Sequence, residues 1–360
     1  HNGQGEILKT FDVKKQVSQI IFNSFNSRVY INSPDLNGIF VINAQDYSLS
    51  SIPPDLVKVS IGKKIISAPL KVFYEDFYDR EPERLLIFNL GLNTIALFDG
   101  LDYSFLRQSE IGPGISGLRW IPERRYILLV SNIFNYLVVV SKDNLQIIKK
   151  IELGEKPVSL ATDIKNKKLY VANQESNNIS VIDLDKLAVI ETIPVELKPS
   201  HLAISQGKLY VSGYKNGGAV KVIDIKDKHL LKTLKFSSSI IRLDYTSDDG
   251  YLLGLGIRSN TLYVINTKTN EIEREINLEK EPFGLDYNEK TGKIYINNYY
   301  DGTVTVIDTN NNYQTKLVRV GNDPVGLRVN DIHNKIYVLN KDDSTVSVIN
   351  GQNDEVEATL

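Results

Sequence analysis

Pro157-Val-Ser-Leu-Ala161, Lys168-Leu-Tyr-Val-Ala-Asn173, Asn178-Ile-Ser-Val-Ile-Asp183 and Ala188-Val-Ile-Glu-Thr-Ile193 follow one another within a single stretch, and their reading decides the fold. Each run is short and rich in β-branched and aromatic residues, which suit a pleated, half-buried surface. Gly, Asn, Asp and Pro cluster between the runs, as hairpin turns require. No segment of useful length carries a helical period. The stretch predicts four short antiparallel strands.

The end of the third run, Val-x-Val-Ile-Asp, recurs along the whole chain. Its final position falls at Asn43, Asp99, Ser141, Asp183, Asp224, Asn266, Asp308 and Asn350, at intervals of 56, 42, 42, 41, 42, 42 and 42 residues. Second strands precede it at Val29-Tyr-Ile-Asn32, Leu86-Ile-Phe-Asn89, Leu128-Leu-Val-Ser131, Tyr170-Val-Ala-Asn173, Tyr210-Val-Ser-Gly213, Leu253-Gly-Leu-Gly256, Tyr295-Ile-Asn-Asn298 and Tyr337-Val-Leu-Asn340. Four-stranded units of this period match the blades of a β-propeller, in which neighbouring sheets bury each other's faces. The fold class expected is all-β: one propeller domain over residues 1–360 with eight blades, or seven if one end unit lies outside the ring. Glu6-Ile-Leu-Lys-Thr-Phe11 reads as a fourth strand without its own blade, so residues 1–14 are expected to close the ring against the last one. Glu355-Val-Glu-Ala-Thr-Leu360 competes for the same place. The 56-residue interval places enlarged loops within residues 44–84, including Ser51-Ile-Pro-Pro54 and Gly62-Lys-Lys-Ile-Ile-Ser67.

Composition narrows the chemistry. The 360 residues include no Cys and no Met, so disulfides, thiolate metal sites, iron–sulfur clusters and Cys nucleophiles are excluded. Lys and Arg number 42 against 44 Asp and Glu, a net charge of −2, which argues against a general nucleic-acid binder. No apolar run approaches the roughly 18 residues of a membrane helix. The absence of both sulfur side chains removes the main oxidation targets and suits an oxidising setting.

The phrases Tyr170-Val-Ala-Asn173 and Tyr337-Val-Leu-Asn340, with Val-Ile-Asp183 and Val-Ile-Asn350 after them, resemble the YVTN-family β-propeller repeats. The resemblance is strongest over 151–360. It implies an extracytoplasmic protein (extracellular, cell-surface or periplasmic, with its signal peptide not present in this chain), of the surface-layer or binding type. The motif residues themselves read as structural. Asn173 and its equivalents suit turn backbone, Asp183 and its equivalents cap the following turn, and Tyr170, Tyr210, Tyr295 and Tyr337 pack between blades with a polar tip.

Chemistry-bearing constellations are sparse. The four His, at 1, 201, 229 and 333, form no metal-ligand spacing. Gly-x-Ser-x-Gly, phosphate-loop and calcium-loop patterns are absent. No cofactor and no metal is called for. The inner strands are more informative because they line a propeller's central channel. Just before their aligned apolar residue stand Gln19, Lys71, Gly117, Ser159, His201, Arg242, Gly284 and Gly326. Just after it stand Ile21, Phe73, Arg119, Ala161, Ala203, Asp244, Asp286 and Arg328. Gln19, Lys71, Ser159, His201 and Arg242 are the candidate channel-mouth ligand residues. Lys71, His201 and Arg242 could present positive charge to an anion, or these residues could bind water and pair with Asp244 and Asp286.

Phe134, Tyr136, Tyr214, Tyr299 and Tyr300 fall in turns between second and third strands and form a candidate partner surface for a protein or a glycan. A single sequon, Asn178-Ile-Ser180, lies at such a turn. The function expected is a non-enzymatic binding or scaffold propeller, in the setting of a surface or redox assembly. The alternatives are a lactonase-like hydrolase or lyase with His201, Arg242 and Asp286 in its channel, and a haem-type cofactor carrier.

Overall fold

The computed structural model describes residues 19–23, 28–33, 38–43, 48–52, 71–74, 84–89, 93–99, 104–215, 218–246, 250–256, 258–331 and 333–359. They form eight four-stranded antiparallel sheets, each a meander of consecutive strands. The first strands of the sheets are β1 (Gln19–Asn23), β5 (Lys71–Tyr74), β9 (Ile115–Ile121), β13 (Pro157–Asp163), β17 (Pro199–Ser205), β21 (Ile240–Tyr245), β25 (Pro282–Asn288) and β29 (Pro324–Asn330). The fold is all-β and has the eight four-stranded blades that the repeat predicts. A short 3-10 turn covers Pro122–Arg124.

The chain divides into two compact units. One comprises residues 1–110 with 279–360, and the other residues 111–278. Each unit contains four of the sheets. In the first, the first and eighth sheets meet. Ile20, Val29 and Ile31 of the first sheet share a buried cluster with Tyr337, Leu339 and Val346 of the eighth. The fourth strand of that eighth sheet is β32 (Glu355–Thr359), paired to the third strand from Ser347↔Thr359 to Asn350↔Glu355. Residues 1–14 lie outside the described residues.

The fourth sheet shows why this sequence builds a blade. Its second strand β14 (Lys168–Asn173) pairs in full register with its third, β15 (Asn178–Asp183), from Lys168↔Asp183 to Asn173↔Asn178. Both central strands are buried on both faces, so Leu169, Tyr170, Val171, Ile179, Val181 and Ile182 are inaccessible to water. Full burial of one such aliphatic side chain contributes about 1.5–3 kcal/mol. The outer strand β16 (Ala188–Pro194) alternates less and is largely exposed. A bulge shifts its register between Val181↔Glu191 and Ile182↔Val189 and adds twist at the rim.

Sheets pack face to face through these buried strands. Tyr170, Ile179 and Val181 join Leu202, Leu209 and Val211 of the fifth sheet. Tyr210 and Val222 join Leu243, Leu252 and Tyr263 of the sixth. Turns use left-handed residues at fixed places. Asn135, Asn177 and Asn260, each with φ between 48° and 56°, stand directly or almost directly before third strands. Asn tolerates that region because its short polar side chain bonds locally.

Two expectations change. Ser51 and Ile52 do not lie in a loop. They end the fourth strand of the first sheet, β4 (Leu49–Ile52), because they extend the pairing Phe40↔Ser51 and Ile39↔Ile52. Tyr136 is not a turn residue, because the third strand of its sheet, β11 (Tyr136–Ser141), starts with it, paired to Ser131. The remaining enlarged segments, 53–70 and 75–83, lie outside the described residues.

Candidate functional site

The inner-strand row is divided between the units. Gln19 and Lys71 begin β1 and β5 in the first unit, and their side chains lie outside the described residues. Ser159, His201 and Arg242 occupy adjacent strands β13, β17 and β21 in the second.

An inner strand has a paired neighbour on one side only, which leaves backbone groups along its other edge without ladder partners. Side chains of the preceding sheet reach them. The Ser159 hydroxyl accepts the Leu202 N–H at 3.1 Å. Arg119 donates to the Leu160 carbonyl at 3.2 Å. Ser116 donates to the Pro157 carbonyl at 3.3 Å. In the first unit the Asp286 carboxylate accepts the Val329 N–H at 3.0 Å, and Asn297 donates to the Pro324 carbonyl. The expected glycine at 284 has a steric cause, since a Cβ there would stand 2.4 Å from Asn297 Oδ1.

Of the three positive candidates, His201 and Arg242 have side chains among the described residues. His201 is held neutral at ordinary pH. Burial, then the Arg242 charge, depresses its pKa to about 4, against a smaller opposing effect of Asp244. Its Nδ1 is buried without a hydrogen-bond partner. Arg242 lies 3.4 Å from the Asp244 carboxylate, a loose pair. Of the enzyme constellation, His201 and Arg242 stand in one unit and Asp286 in the other, where Asp286 faces Arg328 at 3.8 Å. Next to the His201 row the four inner strands of the second unit line a cleft of about 220 Å³ that includes Arg119, Ala161, Ala203 and Asp244.

The aromatic candidates form pairs. In the second unit Phe134 stacks on Tyr136 with ring centroids 6.1 Å apart, and the Lys150 ammonium sits 5.0 Å from the Tyr136 ring centre. Phe134 is 56% exposed and Tyr214 48%. In the first unit Tyr299 and Tyr300 meet edge to face at 5.2 Å. Tyr300 is 65% exposed. A hydrogen bond to the Asp323 carboxylate raises the Tyr299 pKa and fixes its hydroxyl.

The motif residues are structural, although one acts differently from expectation. Asn173 does not bond turn backbone. Its side-chain amide donates to Asn178 Oδ1 and to Ser180 Oγ, both at 2.8 Å. Asn298 repeats this with Thr303 and Thr305, and Asn340 with Thr345 and Ser347. Both ends of the sequon are therefore committed to Asn173, and Ser180 is buried. Asp183 caps as expected, accepting the N–H groups of Asp185 and Lys186 at 2.9 Å each.

Tyr210 and Tyr295 reach the next sheet with their hydroxyls, to Asn270 at 3.2 Å and Asp354 at 3.3 Å. Burial raises the Tyr210 pKa to about 12. Sequence reasoning missed the lysine two residues before each of these tyrosines. Lys208 donates to Asn270 at 3.0 Å and Lys293 to Asp354 at 2.7 Å. The recurring Lys-Leu/Ile-Tyr at the head of second strands was the available signal.

Among the described residues, no group of three His, Asp or Glu could hold a metal ion, and no helix is long and apolar enough to cross a membrane.

Residues 200–325 match a family model described as a repeat of unknown function, DUF6923. No curated protein matches the chain. The structure is similar to that of a computationally designed protein, Ika8, at 14% identity and TM-score 0.72, covering 93% of this chain and 96% of that one. It is similar to the dihydro-heme d1 dehydrogenase NirN, determined in complex with DHE, at 15% identity and TM-score 0.67, covering 87% and 68%. It is also similar to hydrazine synthase of Kuenenia stuttgartiensis at 17% identity and TM-score 0.58, covering 74% and 92%. Likeness at such identities concerns the fold, a β-propeller, and not activity.

Proposed function

We propose that this propeller is a non-enzymatic binding or scaffold protein acting outside the cytoplasm, and that it engages a protein or glycan through turns between second and third strands. One contrast carries the reading. Polar side chains of the inner strands, such as Ser159, Arg119 and Asp286, are engaged with backbone of the neighbouring sheet. Phe134 and Tyr300, at turn tips, stand more than half exposed instead. Large aromatic side chains exposed on turns are costly to keep in water and are common anchors of binding surfaces. The Phe134–Tyr136 and Tyr299–Tyr300 pairs are braced by ring contacts, so less side-chain entropy is lost on contact.

Two of the similar folds carry the names of redox enzymes, which supports membership of a larger redox assembly as the setting for such a scaffold.

The test uses the whole chain immobilised against a glycan panel and an extracytoplasmic protein fraction. A ligand retained by the unaltered protein and lost by the Phe134→Ser, Tyr300→Ser double variant, with thermal unfolding unchanged, supports the reading. Equal retention by both proteins refutes it. So does hydrolytic or lyase turnover that His201→Gln abolishes.

A further inference from the structure

The second unit contains a feature that the partner surface does not use. Its four inner strands, β9, β13, β17 and β21, share the cleft of about 220 Å³. At the position just after the aligned apolar residue, they carry in order Arg119, Ala161, Ala203 and Asp244. The two alanines are buried and form the floor, with a guanidinium at one flank and a carboxylate at the other. Thr162 and Tyr245 also line it. We propose that this cleft binds a small zwitterion, a molecule of the amino-acid class carrying one carboxylate and one ammonium group.

The first unit supplies the contrast. There the same position reads Asp286 and Arg328 on adjacent strands, and the two charges face each other at 3.8 Å. In the second unit two alanine-bearing strands stand between Arg119 and Asp244. A ligand with both charges can bridge what the side chains do not.

Both groups keep bonding capacity. Arg119 commits one terminal nitrogen to the Leu160 carbonyl, and a guanidinium offers five N–H donors in all. Asp244 accepts the Tyr245 N–H at 3.2 Å on one oxygen and meets Arg242 at 3.4 Å on the other. A carboxylate has about four lone-pair sites, so room remains for an ammonium. His201 is neutral and adds no cation beside Asp244. Leu202 and Leu243 also line the cleft. The volume lies below the roughly 300–1,000 Å³ of sites for drug-sized ligands, so only a small molecule fits. The proposal uses no residue of the aromatic turns, and either reading can fail without the other.

Titration calorimetry on the full chain tests it with glycine, β-alanine and γ-aminobutyrate as zwitterions, and with acetate and methylammonium as half ligands. At least one zwitterion is expected to saturate a single site below about 10 mM, at least tenfold more tightly than either half ligand. Asp244→Asn, and Ala203→Leu to fill the floor, should each weaken it about tenfold or more. Should a variant misfold, amide NMR shifts of the unaltered protein decide the location, because Leu202 and Leu243 must respond to the zwitterion. Absence of saturation by all three zwitterions overturns the proposal. So does acetate or methylammonium binding equally well, or shifts confined elsewhere.

Discussion

The hydroxyl of Ser159 on β13 accepts the backbone N–H of Leu202 on β17, 43 residues later, at 3.1 Å. A side chain that composition offers as a ligand group is thereby a strut between two sheets. Ser159→Ala should destabilise the protein by about 0.5–1.5 kcal/mol, the usual net worth of such a bond. It should also speed exchange of the Leu202 amide hydrogen. Chemical denaturation and hydrogen exchange measure both, and an unchanged Leu202 exchange rate would remove the strut.

Asn173 donates to two partners at once, one of them buried Ser180. Asn173→Ala leaves a buried hydroxyl without its donor and should cost about 1–3 kcal/mol. Asn173→Asp should cost more, because a carboxylate would then face the acceptor oxygen of Asn178. Comparing the two variants by urea denaturation checks the order. The reverse order would mean that the amide's donors are not what matters.

His201 gives a pH dependence of defined sign. Its folded pKa is about 4, against an ordinary 6.5. Between these values the unfolded chain binds a proton that the folded chain refuses, so stability falls as pH drops from 6.5 toward 4. Above 6.5 the effect is fully relieved. The loss amounts to about 3 kcal/mol by pH 4, from 1.36 kcal/mol per pKa unit. Acid denaturation of His201→Gln should be shallower than that of the parent across this window. Parallel curves for the two proteins would rule out a buried neutral histidine.

Lys293 and Asp354 pair at 2.7 Å across two sheets, each side chain 13% exposed, and Tyr295 also donates to Asp354. Lys293→Met strands a mostly buried carboxylate and should cost about 3 kcal/mol. Adding Asp354→Leu should restore much of that loss, since a buried pair replaced by apolar groups is often near neutral. A double-mutant cycle with no coupling between the two substitutions would show that the pair is not formed in solution.

The blade count and strand order were legible because the 42-residue spacing of Val-Ile-Asp is a local pattern that survives substitution of single residues. The capping by Asp183 was legible for the same reason, since its partners Asp185 and Lys186 lie within three residues. The role of Asn173 was present in the sequence as an Asn followed five and seven residues later by short polar side chains, a spacing repeated after Asn298 and Asn340. The partners of the inner-strand row were not legible because side-chain type reveals charge but not partners. Ser159 and Asp286 each meet a backbone N–H in the next sheet, more than forty residues away. His201 loses its charge to burial, which no spacing announces.

The forward reach of the second-strand side chains has a consequence for synthesis. Lys208 waits for Asn270, 62 residues later, and Lys293 for Asp354, 61 residues later. A chain leaving the ribosome can pair the strands of one blade early, but that blade's lysine and tyrosine stay without their mates until most of the next one and a half repeats has emerged. The fifth and seventh blades are thus completed by their successors, and there the direction of translation is also the direction in which the molecule becomes locked. A chain cut after the fifth or the seventh blade would end in a sheet whose lysine and tyrosine contacts belong to residues never made.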